Sequence, residues 1–255
     1  MKNHTLLILL LGVYLIYACD RETNAIFPTE ITQHSQVSDS IFEILLNDAK
    51  LICLDYYTNE EMEEIEEIEF EEYHYAQILA ALQFVYIDSL SSAALSIKKY
   101  DVHALCHEQL HKSYITIDTT NQNIQSWKQY GFSDNLNLDL LIDEYDLQLD
   151  SLEKDLYEVY SPVGINQEVL SLKLKQFPFI YEAQSANCIG DGSHIELAYL
   201  SPEFIHLIYS YGWGDCLSGC INRHYWEFGI YGSGEIELLS ESGKQLPHKK
   251  ESSQK

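Results

Sequence analysis

His194-Ile-Glu-Leu-Ala-Tyr-Leu-Ser-Pro-Glu-Phe-Ile-His-Leu-Ile-Tyr-Ser-Tyr211 leads through Gly212-Trp-Gly-Asp-Cys-Leu-Ser-Gly-Cys-Ile-Asn-Arg-His-Tyr-Trp226 into Glu227-Phe-Gly-Ile-Tyr-Gly-Ser-Gly-Glu-Ile-Glu-Leu238. Ile195, Leu197 and Tyr199 alternate with His194, Glu196 and Ala198, and after Ser201-Pro202 the alternation resumes at Ile205, Leu207, Tyr209 and Tyr211. A period of two with a turn between the runs is the pattern of a β-hairpin. Trp226, Phe228 and Ile230, the turn Gly232-Ser-Gly234, and then Ile236 and Leu238 repeat it. Asp191-Gly192 is a further turn signal, and it predicts a fifth strand over residues 179–182 in the same sheet.

Upstream the period changes to that of helices. Ser38-Asp39 can cap a helix carrying Ile41, Ile44, Leu45, Ala49 and Ile52, which runs to about residue 54. A second helix is predicted over residues 73–89, with Ile78, Leu79, Leu82, Val85 and Tyr86 on one face, and a short one over 91–100. Tyr114 to Ile117 suits a strand, and helical pieces follow over 123–130 and 138–144, broken at Gly131. The expected fold class is therefore α+β: a mainly helical, acidic region over 37–160, then a small antiparallel sheet of two hairpins over 161–243, and a loose tail over 244–255.

The chain has 255 residues, 40 acidic side chains against 15 basic ones and a formal net charge of -25. Its 46% hydrophobic content is too high for a disordered acidic chain, so it folds. The charge argues against nucleic acid as a partner, because phosphate binding needs clustered Lys and Arg. Residues 20–160 carry 29 acidic and 7 basic groups, which places the acidity in the helical region. Its densest part, 60–72, holds nine Glu without the alternating ligands and turn glycine of a calcium loop, and reads as a solvated face.

At the N-terminus, Lys2 precedes an apolar run over residues 6–17, too short for a spanning helix and suited to a secretory signal over 1–18. Ile16-Tyr-Ala-Cys19 resembles a bacterial lipobox. That resemblance implies a mature chain starting at Cys19, whose sulfur carries a diacylglyceryl group and whose amine normally takes a third chain such as palmitate, anchoring the protein stably in a bilayer. Secretion with cleavage after Ala18 is the alternative. Residues 19–36 are expected to form a lipidated tether, and the protein to sit on the cell membrane or outer membrane, facing periplasm or cell exterior.

Two clusters invite chemistry. His103, His107 and His111 are spaced so that a helix through them would align all three beside Cys106, a geometry that can hold a metal, although the order is not the His-Glu-x-x-His of zinc proteases. His74 stands apart from any second ligand and reads as surface. Cys216, Cys220 and His224 stand four apart, and with Cys188 or His194 they could bind zinc; a dithiol redox pair and a disulfide are the other options, and in an oxidising envelope the Cys216–Cys220 disulfide is the simplest. Of the remaining cysteines, Cys53 and Cys106 can bridge within the helical region, leaving Cys188 free.

Gly214-Asp-Cys-Leu-Ser-Gly-Cys-Ile221, then Arg223-His-Tyr-Trp-Glu-Phe228, preceded by Gly190-Asp-Gly-Ser-His-Ile-Glu196, resembles an uncharacterised family of secreted and lipid-anchored bacterial proteins with a Gly-Asp-Cys-x-x-Gly-Cys loop followed by a Trp-x-Phe strand. The resemblance covers about residues 177–243, extends more loosely into the helical region through Asp48-Ala-Lys50 and residues 137–149, and the family often has Pro where this chain has Leu217. It implies location and architecture and carries over no catalytic residue. The expected role is thus binding or scaffolding in the cell envelope, without a cofactor or metal, with Trp213, Asp215, His224 and Tyr225 as candidate binding residues. The partners expected are the bilayer, through Cys19, and an envelope protein or ligand. A metal-dependent envelope enzyme using His and Cys ligands is the alternative.

Overall fold

The computed structural model describes residues 25–59, 67–188 and 190–248. The signal, Cys19 and most of the Glu-rich block lie outside the described residues, as does the side chain of His74.

The fold is α+β, with two four-stranded antiparallel sheets. Helices α1 (Asp39–Asn59), α2 (Glu72–Ile87) and α3 (Ser92–Tyr100) open the described chain. Ser91 caps α3 by accepting a hydrogen bond from the Ala94 amide at 3.3 Å. Strand β1 (Lys112–Ile117), helices α4 (Gln122–Tyr130) and α5 (Leu136–Tyr145), strands β2 (Gln148–Ser151) and β3 (Leu156–Tyr160), helix α6 (Gln167–Leu174) and strand β4 (Ile180–Ser185) form a second group. Asn121, Asn135 and Asn166 cap its three helices, and Gly131, at φ +80°, ends α4. The chain closes with β5 (His194–Leu200), β6 (Phe204–Trp213), β7 (Asn222–Tyr231) and β8 (Ile236–Gly243), the two hairpins read from the sequence.

The expected fifth strand exists as β4 but joins the other sheet, whose order is β2-β3-β1-β4. Ala183 stands opposite Ile115 of β1, so the strand finds its partner about 70 residues upstream. Strands β2 and β3 and helix α6 were not legible from pattern. Gln148–Ser151 is short and largely exposed, with no apolar alternation to reveal it.

Two cores result. Leu45, Ala49 and Ile52 of α1 and Ile78, Leu82 and Val85 of α2 pack on Ile195, Leu207, Trp226 and Phe228, the inner face of the β5–β8 sheet. Ile115, Tyr157, Val159 and Ala183 of the other sheet pack on Ile124, Trp127, Leu138, Ile142 and Leu170. The first core draws on both ends of the described chain and the second on the middle, so the boundary is not a linear one near residue 160. Cys106 and Cys188 are joined by a disulfide across the base of the middle unit, with Cα atoms 5.4 Å apart. Ala186 N–H donates to the Lys112 carbonyl at 2.9 Å, and Ile165 N–H to the Leu110 carbonyl at 2.9 Å, beside that bridge.

The described parts of the expected tether and tail, residues 25–36 and 244–248, lie against the folded body. Phe27 is 1% exposed, and Gln83 of α2 receives the His34 N–H at 2.7 Å and donates to the Thr32 carbonyl at 2.9 Å. Residues 25–36 therefore belong to the folded body. At the other end, the Tyr100 hydroxyl donates to the Pro247 carbonyl at 2.6 Å, which holds the start of the tail against α3.

Candidate functional site

The apolar stripe of α1 is interrupted by one charged residue. Asp48 falls between Leu45 and Ile52 at helical spacing and is fully buried. A carboxylate taken out of water must find donors or become neutral. Three donors meet it: His103 Nδ1 at 2.7 Å, the Ala104 amide at 2.9 Å, and His107 Nε2 at 2.7 Å.

No helix carries these histidines. Asp101 ends α3 in the left-handed region at φ 56°, Cys106 sits there again at φ 69°, and only the single 3-10 turn His107–Leu110 follows. The resulting loop wraps His103 and His107 onto Asp48 and sends His111 elsewhere. His111 Nδ1 lies 3.0 Å from the Ser161 carbonyl and its ring stacks on Tyr160. The expected three-histidine stripe is thus a pair plus an outlier, because two left-handed residues break the helix it required. Cys106, expected beside the stripe, is instead the disulfide partner of Cys188.

Asp48 sets the electrostatics of His103. Burial alone would lower the His103 pKa, but the hydrogen bond and charge of Asp48, helped by Asp101, outweigh it and raise the imidazole above its ordinary value. His111 has no such carboxylate, and its burial carries its pKa the other way. His103 also lines a cavity of about 100 Å³ that mixes Leu45, Leu82, Val85 and Ile195 with the charged Lys98 and Asp101. The cluster can orient the His103 imidazole and favour its protonated form, which is acid–base capability. It is poorly suited to a metal, since both nitrogens that face the carboxylate are already engaged by it at hydrogen-bond distance. Among the described residues no three His, Cys, Asp or Glu side chains form a metal-holding group.

The Gly-Asp-Cys loop is a lock. Cys216 and Cys220 are bridged, with Cα atoms 4.0 Å apart. The Asp191 carboxylate accepts the Cys220 amide at 2.8 Å, its own neighbour Gly192 at 2.7 Å, and the Arg223 guanidinium. Arg223 Nη1 also donates to the Gly192 carbonyl at 2.8 Å and to Ser210 Oγ at 2.7 Å. With Arg223 first among the causes, the Asp191 carboxyl is held at about 2, well below the usual range. Gly212 runs underneath, where a Cβ would come within 2.7 Å of the Gly192 carbonyl and 2.9 Å of the Cys220 Cβ.

The four candidate binding residues do not converge. Trp213 stacks on Tyr211 with ring centroids 5.7 Å apart, on the inner face of the sheet. His224 is buried, Nδ1 2.8 Å from the Lys244 carbonyl and Nε2 3.0 Å from Glu241, so neither ring nitrogen is open to a ligand. Tyr225 follows it on the outer face, exposed, and Asp215 stands in the exposed loop, where it accepts the Leu217 amide at 3.4 Å. Strand alternation separates His224 from Tyr225. Trp226 is a core residue.

The proposed Cys53–Cys106 bridge is corrected. Cys53 faces the first core from α1, fully buried and unbridged, and burial pushes its thiol pKa up to about 12. Asp48, which entered the sequence reading only through the looser family resemblance, was given no chemical role there, although a lone acidic residue on the apolar stripe of α1 was its signal. His194 lines a separate hollow with Asp55 and Glu196. Comparison with family models, curated proteins and solved structures finds no match to this chain.

Proposed function

We propose that the protein is an exported, lipid-anchored envelope protein that acts by binding or scaffolding. The observation that carries export is the pair of disulfides, Cys106–Cys188 and Cys216–Cys220, because such bonds persist in oxidising compartments and are rare where thiols are kept reduced. The lipobox-like Ile16-Tyr-Ala-Cys19 supplies the anchor in this reading. Binding is favoured over metal catalysis because Cys216 and Cys220 are bridged and His224 is occupied on both ring nitrogens. In this reading the Asp48 pair is a structural clasp joining α1 to the loop that enters the middle unit.

A globomycin-sensitive lipid label on Cys19 tests the anchor, and a chain exported without one would overturn it. Metal analysis of the purified protein tests the choice of class: stoichiometric zinc would overturn binding without a metal. Capture from envelope extract, with the same protein carrying Trp213→Ala as comparison, then identifies the bound component.

A further inference from the structure

The structure gives the entry point of the chain into its body. Ala25 and Ile26 pass directly over Gly232, where a Cβ would lie 2.7 Å from the Ile26 carbonyl carbon and 2.8 Å from that of Ala25. Phe27 N–H then donates to the Pro202 carbonyl at 2.8 Å, and Gly232 N–H to the Glu203 carbonyl at 3.0 Å. The chain thus arrives where the β5–β6 and β7–β8 turns lie side by side. The Cys216–Cys220 loop lies at the opposite end of β6 and β7, roughly 30 Å away at the rise of a ten-residue strand.

Five residues, 20–24, separate Cys19 from Ala25. Six Cα-to-Cα steps reach at most about 20 Å. If Cys19 bears lipid, the turn end of the sheet cannot leave the neighbourhood of the bilayer.

That end is unusual for an uncovered sheet face, which is ordinarily polar. Helices α1 and α2 cover only the inner face. On the outer side, Phe204 lies against Tyr231 and Tyr199 with ring centroids 5.1 and 6.2 Å away. Gly229 makes room for it, since a Cβ there would meet Phe204 Cε2 at 2.8 Å and Leu239 Cδ2 at 3.4 Å. Tyr199 is 52% exposed, Leu239 43%, and Ile26, on the incoming chain, 61%. Tyrosines with an apolar body and a polar tip suit the headgroup layer of a membrane. The exposed Glu203, Glu235 and Glu237 at the same end disfavour an anionic surface.

We propose that Tyr199, Phe204, Tyr231, Leu239 and Ile26 form a membrane-facing edge that rests on a zwitterionic lipid surface, orienting the disulfide loop away from the bilayer. This rests on the lipid-anchor reading of Cys19 and deepens it. The edge and the anchor act together: acyl chains fix the distance, and the aromatic edge fixes the orientation.

Tyr231 and Tyr225 offer an internal comparison, being the same residue type on the same strand and face, 36% and 38% exposed. The lipidated full chain is placed in phosphatidylcholine vesicles and footprinted with hydroxyl radicals, the Cys19 lipid being verified by mass spectrometry. Oxidation of Tyr231 is expected to fall well below that of Tyr225, since the lipid surface would cover the first and leave the second in water. Replacing part of the lipid by phosphatidylglycerol should weaken that protection. Equal oxidation of the two tyrosines with Cys19 lipidated overturns the edge and leaves the anchor standing. Absence of lipid on Cys19 overturns both. Protection that appears only as protein density on the vesicle rises assigns the edge to a second copy and overturns the lipid assignment, as does protection strengthened by anionic lipid.

Discussion

Asp48→Asn preserves the shape of the buried side chain and removes its charge, so it isolates what the carboxylate does for His103 and His107. Asp48 accepts three hydrogen bonds, two of them from imidazoles at 2.7 Å. Hydrogen bonds to charged groups are worth about 1.5–3 kcal/mol each, and asparagine keeps one acceptor while turning an NH2 toward one ring. The expected loss is about 3 kcal/mol at pH 5.5. Its pH dependence follows from His103, whose pKa is raised in the folded protein above the ordinary value near 6.5. A raised histidine contributes stability that is fully present below the unfolded value and is lost as pH rises through the folded one. At pH 8.5 the difference between wild type and variant should therefore be clearly smaller than at pH 5.5, although the hydrogen bonds still end on a carboxylate. Urea unfolding at both pH values, disulfides intact, measures this; Trp226 reports the first core and Trp127 the second. A difference equal at the two pH values, or below about 0.5 kcal/mol at pH 5.5, would refute the clasp.

Thiol titration of the denatured, unreduced body from Asp20 onward should find a single thiol, Cys53, silent before denaturation because burial raises its pKa to about 12; three or five thiols would contradict the assigned bridges. Replacing Cys106 and Cys188 together by Ser opens a closure of 82 residues and is expected to cost about 4.5 kcal/mol from chain entropy, against roughly 2 kcal/mol for the four-residue Cys216–Cys220 closure, both read by urea midpoints. Gly212→Ala should destabilise by at least about 2 kcal/mol, since its Cβ would press on the Gly192 carbonyl and Cys220, and an unchanged melting midpoint would remove the lock from that position. Asp191, held at about 2, contributes stability that is full above its unfolded value near 3.8 and is lost progressively as pH falls to about 2; the difference in urea midpoint between wild type and Asp191→Asn should be largest above pH 4 and shrink steadily toward pH 2.

Local patterns carried far where the partner of a segment is its own neighbour. The β5–β6 and β7–β8 strand pairs and α1 to α5 follow from periodicity and turn residues, and the Cys216–Cys220 bridge was the simplest of three options for its spacing. Reading failed where the deciding contact lies far along the chain. Residues 179–182 look like a strand in any context, but which sheet they join depends on Ile115 and its neighbours. Cys106 was paired with Cys53 because both lie in helical surroundings, whereas the loop folds it onto Cys188 and α1 turns Cys53 into the core. The histidine spacing drew attention correctly to His103 and His107, but through a helix that the left-handed Asp101 and Cys106 exclude.

By itself, then, the chain determined an α+β fold and indicated antiparallel strand pairs near residues 194–238 with a Cys216–Cys220 disulfide as the simplest of three options, since each depends on interactions within a few residues. Tertiary structure decided that the first core is built from both ends of the described chain, that Asp48 gathers two histidines, and that the incoming segment meets the body at Gly232. Those are long-range closures. Their cost in chain entropy is offset only by the packing of the complete cores, so no local stretch of sequence records them.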